Sequence, residues 1–133
     1  MVTWILAVLA LYLVQVFLVP ILRFQKSNIP TAELVKLSVG PRDNMPEMPV
    51  LAGRADRALN NLKESLPFFI TFALLALILG KVNESAIMGA AIYTFARIAY
   101  VPSYMSGAPA IRTLVWVVSA AGLIMMLMAI VSN

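Results

Sequence analysis

Arg57, Asn61 and Glu64 lie at the start of a strongly apolar segment, separated by four residues and then by three. This spacing places the three side chains on one face of a helix. The chain then continues through residues 65–80 without a charged residue. Polar groups at the mouth of a membrane helix are energetically unfavourable unless they pair, reach the interface or bind a ligand. This aligned set therefore indicates a candidate binding surface.

A second set of polar residues shares one helix face further along the chain. Arg97, Tyr100 and Tyr104 are spaced three and then four residues apart, and the next apolar segment begins beside Arg112 and Thr113. We expect both sets to open at the same membrane depth and to form one polar pocket. The candidate residues are Arg54, Arg57, Asn61, Glu64, Arg97, Tyr100, Tyr104, Arg112 and Thr113.

These residue types suit a small ligand that is both anionic and zwitterionic. Guanidinium groups bind carboxylates bidentately, the Glu64 carboxylate can accept an ammonium group, and Asn61 can bind a peptide amide. A structural alternative remains open for single residues. Arg97 and Glu64 could form a buried pair that only joins two helices, and the two tyrosines could be interface anchors. Arg54 and Arg112 could be ordinary cytoplasmic-side charges.

The composition indicates a membrane protein. Of 133 residues, 62% are hydrophobic and 12% are charged, about half the charged fraction of a typical soluble domain. The chain has no cysteine and no histidine, which excludes disulfides, a cysteine nucleophile and the usual general base, and no metal site is predicted. The net charge of +4 is spread through loops beside apolar segments, which favours membrane orientation over nucleic-acid binding.

Four apolar segments predict an all-α, integral membrane four-helix bundle formed by one domain, residues 1–133. Each segment has about the 20 residues that a helix needs to cross a bilayer. The predicted helices span residues 2–22, 59–79, 85–104 and 111–131. A long polar loop covers residues 23–56, whereas the second and third connections, at residues 81–85 and 103–109, are short. Short connections predict that the last three helices are antiparallel neighbours.

The distribution of basic residues predicts the orientation in the membrane. Cytoplasmic loops are enriched in lysine and arginine. Only Lys81 falls on the side of the second loop. We therefore expect the first and third loops to be cytoplasmic and both termini to lie outside. The basic residues on the side of these two loops are Arg23, Lys26, Lys36, Arg42, Arg54, Arg57, Lys63, Arg97 and Arg112.

Two stretches of the chain resemble the MAPEG family, the membrane-associated proteins in eicosanoid and glutathione metabolism. Residues 54–69, RADRALNNLKESLPFF, resemble the signature of the family's second helix. Residues 95–113, FARIAYVPSYMSGAPAIRT, resemble the end of its third helix and the start of its fourth. The four-span layout and the long first loop match as well, and residues 38–49 resemble the version in bacterial relatives.

The resemblance implies a homotrimer in which glutathione binds between adjacent subunits, toward the cytoplasmic side of a bacterial inner membrane. Arg112 resembles the arginine that stabilises the glutathione thiolate in catalytic members. Arg54, Arg97 and Thr113 would support the site, with Arg97 holding Glu64 in position. By position, the residues that match the family's glutathione ligands are Arg57, Asn61, Glu64, Tyr100 and Tyr104.

The resulting hypothesis is a glutathione-dependent transferase or peroxidase that acts on hydrophobic electrophiles arriving from the bilayer. Its partners would be glutathione as co-substrate, a lipophilic small molecule, membrane lipids and further copies of the chain. Some family members bind lipids or act as scaffolds without catalysis, so a non-catalytic membrane protein of the same fold is the alternative. A transporter or channel is a weaker one, because the sequence contains no broken helices.

Overall fold

The structure, a computed structural model, describes residues 1–41 and 47–132 and is all-α. This agrees with the predicted fold class. Two of the three predicted connections are short, and the first contains a helix of its own. Within the described residues there are five helices: α1 (Val2–Lys26), α2 (Thr31–Val39), α3 (Val50–Ile78), α4 (Glu84–Ser106) and α5 (Pro109–Val131).

The helices differ from the predicted bounds at several ends, most of all in the predicted first loop. Helix α3 begins at Val50, nine residues before the predicted start at residue 59, so the polar stretch around Arg54 is helical. The predicted loop also contains α2, which follows Pro30 as α3 follows Pro49. Both prolines occupy the position before a first helical turn, where no backbone N–H is required. The positive charge at residue 42 lies outside the described residues.

Three helices are long and apolar enough to cross a membrane within the described part of the chain. They are α1, α3 and α5, which cover three of the four predicted spans. Helix α4 has a comparable length of 23 residues but is not among them. Its polar residues face inward, since Tyr93, Thr94, Arg97 and Tyr100 are all buried. The third predicted span, residues 85–104, therefore stays a prediction.

Helices α4 and α5 approach each other closely at two glycines. A Cβ atom added to Gly89 would lie 2.7 Å from the carbonyl oxygen of Gly122, and one added to Gly122 would lie 2.7 Å from that of Gly89. Small residues at such crossings let helix backbones approach within a membrane. The crossing fixes the position of α5 relative to α4.

Two hydrophobic clusters join α1 to the other helices. Val8 packs in a cluster with Phe69, Tyr93 and Met126, while Leu22 packs against Ala52 and Ala55 of α3, among other residues. Gln15 lies two turns from each of these α1 residues and is buried. Its side-chain oxygen has no hydrogen-bond partner among the described residues.

The two short connections lie at opposite ends of the bundle. The α3–α4 connection contains Gly80, with φ 66°, and Asn83, whose side chain caps α4 by accepting from the backbone N–H of Ala86. Beside it, the Lys81 ammonium donates to the carbonyl oxygens of Ile130 and Ser132 at 2.7 and 3.0 Å. The α4–α5 connection consists of two residues only, Gly107 and Ala108, and not the predicted seven.

Candidate functional site

Helix α3 presents Arg57, Asn61 and Glu64 on one face, as their spacing predicts. The three residues lie within two helical turns, and the preceding residues 50–56 are helical as well, so the face is held rigidly. Arg57 and Glu64 are exposed and Asn61 is half-buried. The two charged groups are therefore accessible, while the amide between them faces the neighbouring helix.

Helix α4 contributes a buried cation. Arg97 is 3% exposed and its guanidinium lies between two rings, 5.3 Å from the centroid of Tyr93 and 5.4 Å from that of Tyr100. Its Nη1 donates to the Asn61 side-chain oxygen at 2.6 Å, and its Nε has no hydrogen-bond partner among the described residues. Burial of a cation is unfavourable unless it is compensated, here by one charge-assisted hydrogen bond and two aromatic faces.

Arg97 reaches Glu64 through Asn61 and not through a direct ion pair. The Asn61 amide nitrogen donates to Glu64 Oε2 at 3.5 Å, whereas no ion pair within 4.0 Å joins Arg97 to Glu64 in the described structure. The prediction that Arg97 holds Glu64 is therefore corrected to an indirect link. The Glu64 carboxylate consequently remains available to a ligand.

Two rings and two further guanidinium groups meet where α4 ends and α5 begins. The Tyr104 ring lies edge-on to that of Tyr100, with centroids 5.6 Å apart. The Arg112 guanidinium lies 4.8 Å from the Tyr104 ring centroid, and that of Arg57 lies 5.9 Å from it. Neither arginine forms a hydrogen bond or ion pair with any described residue. Their N–H donors face the cleft, held only by an aromatic ring.

These side chains line a polar cleft of about 370 Å³. This volume falls in the range of roughly 300–1,000 Å³ that small-molecule sites occupy. Two guanidinium groups and one carboxylate give the cleft a net positive charge. All five predicted glutathione ligands and the predicted catalytic arginine lie along it. The lining residues are Arg57, Asn60, Asn61, Glu64, Tyr100, Tyr104 and Arg112.

The three predicted supporting residues do not line the polar cleft. Arg97 lies beneath it, bonded to Asn61. The Arg54 Nη1 donates to the carbonyl oxygen of Met105, at the end of α4. The Thr113 hydroxyl donates to the carbonyl oxygen of Pro109 in its own helix at 3.0 Å, and its side chain is exposed. The structure thus gives Arg97 and Arg54 contacts to the site's framework but gives Thr113 none.

A protein-family comparison extends over nearly the whole chain. The model of the MAPEG family matches residues 1–132, which include all the helices described above. The chain belongs to the MAPEG family. This confirms the resemblance of the two helix signatures. The MAPEG family includes glutathione transferases and peroxidases, so membership is consistent with a membrane function related to glutathione. No curated protein matches the chain.

A second cleft of the MAPEG protein, of about 220 Å³, adjoins the first. It shares Asn61 and Glu64 with the polar cleft, so the two are continuous at these residues. The rest of its wall is mainly apolar, with Phe68 from α3 and Trp116 and Leu123 from α5. The site therefore offers a charged compartment and an apolar compartment on either side of one carboxylate and one amide.

Sequence reasoning missed four residues of this MAPEG site. Asn60 lines the polar cleft, and its position three residues after Arg57 on a helix was a usable signal. Tyr93 lies one turn before Arg97, stacks on its guanidinium and shares a 2.8 Å hydrogen bond with Ser65. The same helical spacing that linked Arg97 to Tyr100 would have included it. Phe68 and Trp116 carry no such signal, because apolar residues are common throughout these helices.

Proposed function

We propose that this MAPEG protein binds glutathione in the polar cleft and uses its thiolate to attack lipophilic electrophiles, as a transferase or peroxidase. One observation supports this above the others. Arg57 and Arg112 have no hydrogen-bonding partner among the described residues, although they share a cleft with an accessible carboxylate. These guanidinium groups leave N–H donors in the cleft for an anionic ligand, beside a carboxylate that can accept a cationic group.

The charges of glutathione complement those of the cleft. Glutathione has two carboxylates, one ammonium group and two peptide amides. The Arg57 guanidinium can bind one carboxylate through two parallel N–H donors, and Glu64 can accept the ammonium group. The Asn61 side-chain oxygen accepts from Arg97 and its amide nitrogen donates to Glu64, so the second N–H of that nitrogen is left to contact the ligand. The Arg97 bond thus fixes which end of the Asn61 amide faces the cleft.

Arg112 would stabilise the sulfur as a thiolate. A free thiol has a pKa of about 8.5, and an adjacent guanidinium lowers it, so more thiolate is present at neutral pH. Arg112 lies in the first turn of α5, where the helix dipole adds partial positive charge. The sulfur would then form a bond to the electrophilic carbon as the leaving group departs with its electron pair. The thiol proton passes to solvent, so neither cysteine nor histidine is required of the chain.

The apolar cleft would admit the electrophile from the bilayer. Phe68 and Trp116 are both exposed on the surface of the single chain, on helices that are apolar enough to span a membrane. A lipophilic molecule in this cleft would lie next to Asn61 and Glu64, the residues that border the glutathione compartment. The arrangement would bring a water-soluble nucleophile and a membrane-soluble electrophile together without either crossing the other's solvent.

A homotrimer of four-span subunits would complete the site. In the single chain, Arg57 and Glu64 are exposed and the polar cleft is open to solvent on one side. A neighbouring subunit on that side would exclude water and strengthen the electrostatic interactions there. We also propose that the protein lies in a bacterial inner membrane, with both termini outside and the first and third loops on the cytoplasmic side.

Equilibrium binding of glutathione to the detergent-solubilised protein tests the proposed function. We expect saturable binding that Glu64→Gln weakens by about tenfold or more, since loss of a charge-assisted hydrogen bond costs roughly 1.5–3 kcal/mol. Glu84→Gln is the matched control, because Glu84 is an exposed carboxylate in the first turn of α4 and does not line the cleft. No binding to folded protein would favour the scaffold alternative. Equal losses in the two variants would remove Glu64 from the site.

A further inference from the structure

The connection between α4 and α5 is held by an arginine outside the cleft. The Arg54 Nη1 donates at 2.8 Å to the carbonyl oxygen of Met105, which lies in the last turn of α4. Carbonyl groups in a last helical turn lack partners within the helix, and a cation there also interacts favourably with the negative end of the helix dipole. Arg54 is half-buried and belongs to α3, the helix that presents Arg57, Asn61 and Glu64.

The same guanidinium packs against Gly107. Gly107 has φ 79°, and a Cβ atom placed on it would lie 2.8 Å from Arg54 Nη2. Glycine is therefore required here for two reasons, the left-handed backbone and the contact with Arg54. Only Gly107 and Ala108 separate α4 from α5, and Arg112 follows within the first turn of α5. A change at this connection would move Arg112 relative to the α3 residues.

We propose that Arg54 is a positioning residue: it clamps the α4–α5 connection to α3 and thereby sets the place of Arg112 over the cleft. Arg54 holds the connection at Met105 and Gly107, and the Arg112 guanidinium lies 4.8 Å from the Tyr104 ring centroid. The effect of this clamp on thiolate stabilisation rests on the proposed function. The clamp itself does not depend on any ligand.

The clamp differs from the ordinary reading of Arg54 as a cytoplasmic-side charge. A charge that only orients the chain can be replaced by lysine. A guanidinium that bonds a carbonyl through one nitrogen and packs its plane against Gly107 cannot, because the ammonium of lysine is compact and has no fork. Arg54→Lys therefore separates the two roles without changing the charge.

Two measurements on the full-length protein test the proposal. Hydrogen exchange of peptides covering residues 103–113 should accelerate in Arg54→Lys, while peptides from residues 84–96 should not change. The pH titration of bound glutathione thiolate should shift upward by about one unit, which means roughly tenfold less thiolate at neutral pH. A merely structural loss of stability would not move the titration midpoint of the bound thiol.

A second pair of variants keeps the test independent of Arg54 itself. Gly107→Ala should raise the thiolate midpoint in the same direction. Gly80→Ala is the matched control, because Gly80 also has a positive φ, 66°, but a Cβ atom there would meet nothing within 4 Å. Both variants carry the backbone strain, and only the first disturbs Arg54.

Three outcomes decide between the possibilities. Unchanged exchange in residues 103–113 of Arg54→Lys would overturn the clamp. Faster exchange with an unchanged thiolate midpoint would overturn the positioning role, provided that Arg112→Ala does shift that midpoint. Absence of any thiolate signal in the wild-type protein would refute the proposed function instead, and the exchange measurement would still confirm or refute the clamp.

Discussion

At one end of the bundle the Lys81 ammonium donates to two main-chain carbonyl oxygens, and at the other end Arg57 and Arg112 lie against the ring of Tyr104. Lys81 therefore satisfies the carbonyl groups at the end of α5, which the helix itself leaves without partners. The two arginines satisfy no group of the described chain. The Lys81 ammonium is therefore occupied by the chain itself, whereas the guanidinium groups of Arg57 and Arg112 can still bind a ligand.

Arg54 and Arg97 lie between these extremes. Arg54 donates to a carbonyl oxygen as Lys81 does, but at the end of the bundle that holds the cleft. Arg97 is buried and donates to an amide that itself borders the cleft. Lys81 thus bonds only the carbonyl groups at the end of a helix, whereas Arg54 and Arg97 bond groups that adjoin the site. Arg57 and Arg112 lie against a ring and keep their N–H donors for a ligand.

The largest effect should follow from Arg112→Ala. We expect turnover of a lipophilic electrophile with glutathione to fall by about 10²–10³-fold, the loss typical of removing one group that stabilises a developing or bound anion. Glutathione binding should fall much less, because Arg57, Asn61 and Glu64 remain. Steady-state kinetics beside equilibrium binding separates the two quantities, and equal losses in both would contradict the division of roles.

Asn61→Leu should damage both binding and stability. The substitution removes the hydrogen-bonded partner of Arg97 Nη1 and leaves a buried cation with the faces of Tyr93 and Tyr100 only. An unsatisfied buried group costs about 1–3 kcal/mol, and more when it is charged. The thermal unfolding midpoint in detergent should fall by several degrees and glutathione affinity by about tenfold or more. Retained affinity would show that the Asn61 amide does not contact the ligand.

Trp116→Ala should change the use of the electrophile and leave the use of glutathione unchanged. Trp116 lines the apolar cleft and not the polar one. Loss of a large aromatic wall should raise the KM for a bulky lipophilic electrophile by several-fold to about 100-fold, in line with the 1–3 kcal/mol that apolar pocket contacts provide. Initial rates at varied electrophile concentration check this. A raised KM for glutathione would contradict the assignment of Trp116 to the electrophile's cleft.

The smallest effect is expected from Lys81→Met, which tests the other end of the bundle. The variant loses two hydrogen bonds to the carbonyl groups of Ile130 and Ser132 but keeps most of the side-chain volume. We expect a fall of a few degrees in the unfolding midpoint, because each such bond at a partly solvated helix end contributes about 0.5–1.5 kcal/mol. Glutathione binding should be unchanged. A change in glutathione binding would contradict the assignment of a purely structural role to the Lys81 end of the bundle.

Much of the site was predictable from the sequence because helical spacing alone decides which residues share a face. The residues of α3 and α4 that line the cleft follow from spacings of three and four. The early start of α3 was not predictable from apolar runs, since residues 50–58 mix polar and apolar types. The bond from Arg97 to Asn61 depends on how α3 and α4 pack against each other and on side-chain conformation, which no spacing specifies.

The clamp at Arg54 was beyond sequence reasoning for a related reason. Arg54 and Met105 are 51 residues apart, and the accepting group is a backbone carbonyl that every residue possesses. Nothing in the residue types distinguishes this arginine from one that only orients the chain. By contrast, the breakers Gly107 and Pro109 were recognisable, and they mark the connection between α4 and α5.

The most direct test of the central claim is a pH titration of glutathione thiolate absorbance on the purified protein, with Arg112→Ala and Lys81→Met measured in parallel. We predict that the wild type and Lys81→Met share a midpoint below the value of about 8.5 for a free thiol, and that Arg112→Ala returns toward it. A wild-type midpoint equal to that of free glutathione, or one that Arg112→Ala leaves in place, would contradict the account.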